Sequence, residues 1–313
     1  MAKANNYGLR TRDIGKAGRF AVNALAREGK MGYATAATVG QRWQSFASYA
    51  KAEGVKRLEY VTAHLAASYG QALAVRVADG ELSAAYAQNL VSAINTVMGH
   101  VTQGEWQSVS PTVDTGIASR VNVRIEIPDG FDRQAVMVAV DALRSACMEN
   151  GAAVVGLARD LGLRAKEGSL LDAKRALQEA YDTGRVTVAN GTKGGRIREV
   201  PITSERQLET LAYAASVQGG SRSLVPTDQT WAQWEEGGLR AAREVLQRHE
   251  ISRIHELRSA YAVDRYQALT GHLPRAFGGN ATKAVDKAAR LTIARELGHS
   301  RIAIAVSYIG SAR

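Results

Sequence analysis

Residues 296–308 read E-L-G-H-S-R-I-A-I-A-V-S-Y. A turn at Leu297 and Gly298 delivers His299. Nine residues later, behind the apolar run Ile302, Ala303, Ile304, Ala305, Val306, stands Tyr308. A tyrosine behind such a run is ordinarily a core or amphipathic side chain. Its fixed spacing from a histidine argues for a second role.

Three segments upstream carry matching chemistry. The nearest is I-H-E-L-R at 254–258, with His255 and Arg258. Before it lies R-V-T-V-A-N-G-T-K-G-G-R-I-R-E-V-P-I at 185–202. This reads as a β-hairpin, with strands near Val186–Val188 and Ile197–Ile202 and a glycine-rich tip bearing Lys193. Earlier still, G-L-R-A-K-E at 162–167 places Glu167 about a helical turn beyond Arg164.

The remainder is read as helix. In the first hundred residues, apolar positions recur at helical period over Arg12 to Glu28, from Thr35 (as cap) to Gly54, over Leu58 to Val77, and after Ser83. Residues 107–130 read as linker, then as the alternating strand V-N-V-R-I-E-I at 121–127, then as the turn Pro128-Asp129-Gly130. Helices follow at Phe131 to Asn150 and about Gly168 to Tyr181. Glycine pairs at 219–220, 237–238 and 278–279 interrupt the helical C-terminal part. The fold class is mainly α with a small β-hairpin (α+β). A helical domain over 1–120 is followed by a mixed domain over 121–313.

The chain has 313 residues and a net charge of +10, and each half, divided at Ile127, carries a surplus of five positive charges. Two basic halves suit a clamp around a polyanion. The single cysteine, Cys147, excludes an internal disulfide framework and a cysteine-based zinc site; it is expected to be a small buried hydrophobe. Basic residues from Lys3 to Arg19 precede no apolar core, so no signal peptide is expected. No run is long enough to span a bilayer, and a cytoplasmic, nucleoid-associated protein is expected. Walker, zincin, EF-hand and nucleophile-elbow motifs are missing, which leaves ATP hydrolysis, zinc peptidase and α/β-hydrolase chemistry without support.

Cleaving a phosphodiester requires balancing charge on the nonbridging oxygens. Guanidinium groups do this well, because they stay charged and offer paired donors. Arg164 and Arg258 are the candidates. A tyrosine hydroxyl, with a pKa of about 10, needs help in losing its proton. A departing 5′-hydroxyl needs a proton, which Lys193 on its glycine-flanked tip could supply. A solvated hairpin lysine is the alternative.

In identity, order and local spacing, these segments resemble the tyrosine recombinase (phage integrase) family. That family's order is Arg, Lys, His-x-x-Arg, His, Tyr. The resemblance implies a catalytic set of Arg164, Lys193, His255, Arg258, His299 and Tyr308. His255 would be the general base toward Tyr308. His299 would donate to the phosphate, or else merely cap or pack the turn. Glu167 would orient Arg164, with a plain surface pair equally open. Arg196 and Arg198 are expected on the phosphate backbone or in water. In the first domain, which resembles the family's core-binding domain, Arg42, Lys56 and Arg57 are candidate DNA contacts, with solvated helix faces the alternative. The implied partner is double-stranded DNA at specific recombination sites, bound by a homotetramer and no membrane. The implied chemistry is a 3′-phosphotyrosyl intermediate that calls for no metal or cofactor. Two features depart from the pattern: only five residues follow Tyr308, and the stretch between Arg258 and His299, with Arg275 and Lys283, is long. A type IB topoisomerase-like relaxer and a catalytically silent DNA-binding protein are the alternatives.

Overall fold

The computed structural model describes residues 5–312; Lys3, where the N-terminal basic run begins, lies outside them. The chain divides into two compact units between Val121 and Asn122.

The first unit holds four helices: α1 (Ile14–Arg27), α2 (Tyr33–Ala52), α3 (Ala63–Ala78) and α4 (Ala84–Val101). Three begin where a short polar side chain satisfies a free backbone N–H. Asp13 accepts from Lys16 N at 2.8 Å, Thr62 from Leu65 N at 3.1 Å, and Ser83 from Tyr86 N at 3.2 Å. Helix α2 differs from expectation. It starts two residues before Thr35, capped by Gly32, whose carbonyl accepts from Ala36 N. Trp43, Phe46, Tyr69, Leu90 and Ile94 form the core. The stretch read as linker is partly core as well. Val109 and Ile117 are buried, and the Asn95 amide holds the backbone of Val109 on both sides.

The second unit opens with residues 122–127 in irregular chain, with bends at Val123 and Glu126. The strand expected at 121–127 joins no sheet, for no second strand lies alongside it, and Val121 and Ile125 stay exposed. The helix expected over Phe131 to Asn150 is two: α5 (Arg133–Ser145) and α6 (Glu149–Leu161). They break at Cys147, which has φ +57° and is exposed rather than buried. A chain turning that sharply cannot keep the residue on the helix's apolar face. The helix expected near Gly168 to Tyr181 is also divided, into α7 (Ala165–Ser169) and α8 (Ala173–Thr183). Strands β1 (Arg185–Val188) and β2 (Arg198–Pro201) pair antiparallel, with Val186 opposite Val200 and Val188 opposite Arg198. Then come α9 (Glu205–Gln218), α10 (Trp231–Glu236), α11 (Gly238–Arg248), α12 (Ile254–Thr270), α13 (Lys283–Glu296) and α14 (Val306–Ile309). The glycine pairs interrupt the helices as the sequence indicates. Helices α6 and α12 pack together at the centre of this unit's core. No described helix is long and apolar enough to cross a membrane.

Candidate active site

The site is built around a buried carboxylate. Glu167 occupies the first turn of α7 and closes a capping box with Arg164: its Oε2 accepts from Arg164 N at 2.7 Å, and its Oε1 from Arg164 Nη1 at 2.5 Å. Arg198 reaches the same carboxylate from β2 with both terminal nitrogens, at 2.9 and 2.7 Å. Burial alone would push the Glu167 carboxyl up, but Arg198 and the Arg164 backbone hold it down at about 2. The carboxylate therefore stays ionised and fixes two guanidinium groups. Glu167 and Arg164 are thus not a plain surface pair, since the carboxylate is fully buried.

Arg198 is not on the phosphate backbone or in water. It is buried, and its Nε also donates to Glu296 O at 2.8 Å. The period-2 pattern of β2 could have shown this, because it puts Arg198 on the same face as buried Val200. Arg196, one residue to the other side of Ile197, is exposed and donates to Ser300 Oγ at 3.1 Å. Lys193 is exposed at the hairpin tip, in a single 3-10 turn.

Helix α12 supplies His255 and Arg258, three residues apart and so on one face. Arg258 is fully buried. It donates through Nη1 to Gly162 O, through Nη2 to Leu297 O at 2.6 Å, and through Nε to Tyr308 Oη at a long 3.4 Å. Burial lowers its pKa to about 10, which leaves it charged at neutral pH. Tyr308 sits in α14, nearly buried, with its hydroxyl 3.1 Å from His299 Nε2. The ring of His255 lies 5.4 Å from the tyrosine ring, centroid to centroid, and no hydrogen bond joins its side chain to the described residues. The structure thus differs from the expected pairing: the histidine at the hydroxyl is His299, because the turn after α13 aims it there. His255 is exposed to solvent, whereas His299 is half-buried. Even so, desolvation and the charge of Arg258 lower its pKa to about 4, and desolvation, Arg258 and Arg164 do the same for His299.

The turn that carries Tyr308 is held from several sides. Arg290 on α13 donates to Gly310 O at 2.8 Å and pairs with Asp286, which in turn accepts from Tyr266 Oη at 2.7 Å. Glu296, quoted in the sequence without a role, accepts from Tyr261 Oη at 2.8 Å and pairs with Arg265. The long segment after α12 contributes directly: a Cβ on Gly310 would lie 2.2 Å from Ala276 Cβ. Arg275 donates to Ala281 O at 2.6 Å and so closes its own loop. In the first unit, Lys56 is exposed, Arg42 and Arg57 are half-buried, and none of them forms an ion pair among the described residues.

A buried tyrosine, two histidines and two guanidiniums locked by one carboxylate thus come together on helices around a two-stranded hairpin. Solved structures share this fold. The Tn1549 transposon integrase in complex with transposon right end DNA matches with a TM-score of 0.64 at 11% identity, over 95% of each chain. A lambda integrase dimer bound to a COC′ core site matches with 0.59 at 16%, over 93% of each. The XerH site-specific recombinase bound to palindromic difH matches with 0.59 at 14%, over 95% of this chain and 80% of that one. No curated protein matches in sequence. The integrase family model matches residues 119–264.

Proposed function

We propose that this chain is a site-specific DNA recombinase whose nucleophile is Tyr308, serving the integration or excision of a mobile element. The carrying observation is the hydrogen bond between the Tyr308 hydroxyl and His299, beside the buried Arg258. A phosphate entering here meets Arg164 and Arg258, whose positive charge balances the oxygens of the transition state. His299 accepts the tyrosine proton. The tyrosine oxygen attacks phosphorus in line, and a 3′-phosphotyrosyl ester forms as the 5′-oxygen leaves. Lys193 protonates that oxygen. Its reach follows from its place on the exposed hairpin tip. Attack by another strand's 5′-hydroxyl reverses each step and returns the protons. The ester conserves the bond energy, so rejoining needs no nucleotide.

Family resemblance assigns the proton to His255 instead, and its ring beside Tyr308 keeps that second reading in play. Arg196, Arg42, Lys56 and Arg57 would follow the phosphate backbone. Four protomers would assemble on paired specific sites; among the matched structures, one is a lambda integrase tetramer bound to a Holliday junction.

Covalent trapping tests the proposal. Protein is mixed with supercoiled and source-genome DNA in EDTA without ATP and stopped with SDS. Wild-type protein should become linked to a 3′ end. Tyr308→Phe should bind DNA equally and form no adduct. An adduct with Tyr308→Phe would remove Tyr308 as nucleophile.

A further inference from the structure

The segment 122–127 enters the second unit exposed and unpaired, and it alternates apolar residues that cover nothing. Among its described residues only Arg124 makes hydrogen bonds, and each leads to the active site. The Arg124 N–H donates to Val306 O at 3.0 Å. Its carbonyl oxygen lies 2.7 Å from where a Cβ on Gly310 would stand. Val306 and Gly310 each lie two residues from Tyr308, so the backbone of one residue brackets the nucleophile. The side chain runs the other way. Nη2 donates to Glu256 Oε1 at 2.9 Å and to Ser259 Oγ at 3.2 Å. Ser259 Oγ donates in turn to His255 O at 3.2 Å. Glu256 and Ser259 flank His255 and Arg258 on α12.

The geometry points to Arg124 as a positioning residue that fixes Tyr308 against helix α12. Stability alone is a poor account of this arginine. Its Nε is buried without a partner, and a buried ion pair with an idle donor is seldom better than an apolar side chain of similar size. What the guanidinium adds is a fixed separation between two catalytic elements.

This rests on the recombinase reading above, and the test separates the two. The substrate is the duplex recovered from the wild-type adduct, made with oxygen or with sulfur at the 5′-bridging position. Sulfur leaves without a proton donor, because a thiol is far more acidic than an alcohol. At saturating DNA, Arg124→Ala should slow adduct formation about 100-fold, the scale of an ångström misplacement, with DNA affinity within about twofold. The sulfur duplex should restore Lys193→Ala and leave Arg124→Ala slow. Arg124→Lys, which keeps the backbone bond and a cation beside Glu256, should recover part of the rate and carries the test if the alanine variant does not fold. No adduct with wild-type protein overturns the recombinase reading and this inference with it. A wild-type adduct with unchanged rates in both Arg124 variants, or rescue of the slow variant by sulfur, overturns this inference alone.

Discussion

His299 and His255 are held neutral by desolvation first and then by the charge of Arg258 and Arg164. Their pKa values of about 4 lie below the ordinary histidine range. The sign matters for both stability and rate. Between about 4 and 6.5 the unfolded chain takes up protons that these folded histidines refuse, so stability is lost as pH falls through that window. The rate follows the neutral, proton-accepting form. At subsaturating DNA, adduct formation should therefore stay level as pH drops through 6.5 and fall only toward about 4. A break near 6.5 would show that the proton acceptor is not a histidine in this environment. Glutamine at His299, compared with glutamine at His255, tells which one titrates. At this scale the sequence held much of the site. Of the set that the resemblance implied, Arg164, His255, Arg258, His299 and Tyr308 come together about Glu167, while Lys193 stays at the exposed hairpin tip. The direction of each side chain was not legible. Arg198 looked like a free cation, because a two-residue alternation inside a short strand competes with the general rule that arginines face water.

At the level of elements the four N-terminal helices were legible from their apolar period, and Ser83 as a cap, whereas Thr35 is not the cap of α2 and α3 starts at Ala63 rather than Leu58. The other failures are non-local. V-N-V-R-I-E-I alternates like a strand, but alternation cannot reveal whether a neighbouring strand exists to pair with it. The break at Cys147 and the core residues within 107–121 depend on contacts distant in sequence. The last turn shows what such contacts demand. Gly310 has φ +70° and ψ −175°, a conformation open to glycine almost alone, and it is wedged between Ala276 and the carbonyl of Arg124. Gly310→Ala should displace α14, slow adduct formation at least about tenfold and destabilise the catalytic unit by about 1–3 kcal/mol, read by thermal melting and single-turnover cleavage. An alanine variant with wild-type rate and stability would show that this turn tolerates movement. The segment between α12 and α13, which looked like an insertion, here packs Ala276 against the turn that follows Tyr308.

Across the whole molecule, two separate cores and an evenly shared positive surplus suit grip on a polyanion by both units, with phosphate contacts giving affinity that falls steeply with salt. The lone thiol has a consequence of its own. Cys147 is the sole cysteine of the chain and is exposed at the bend between α5 and α6, remote in sequence from every catalytic candidate. A maleimide dye would therefore attach once per protomer with no engineered residue. Counting bleaching steps on single DNA molecules then reads directly how many protomers are bound to each.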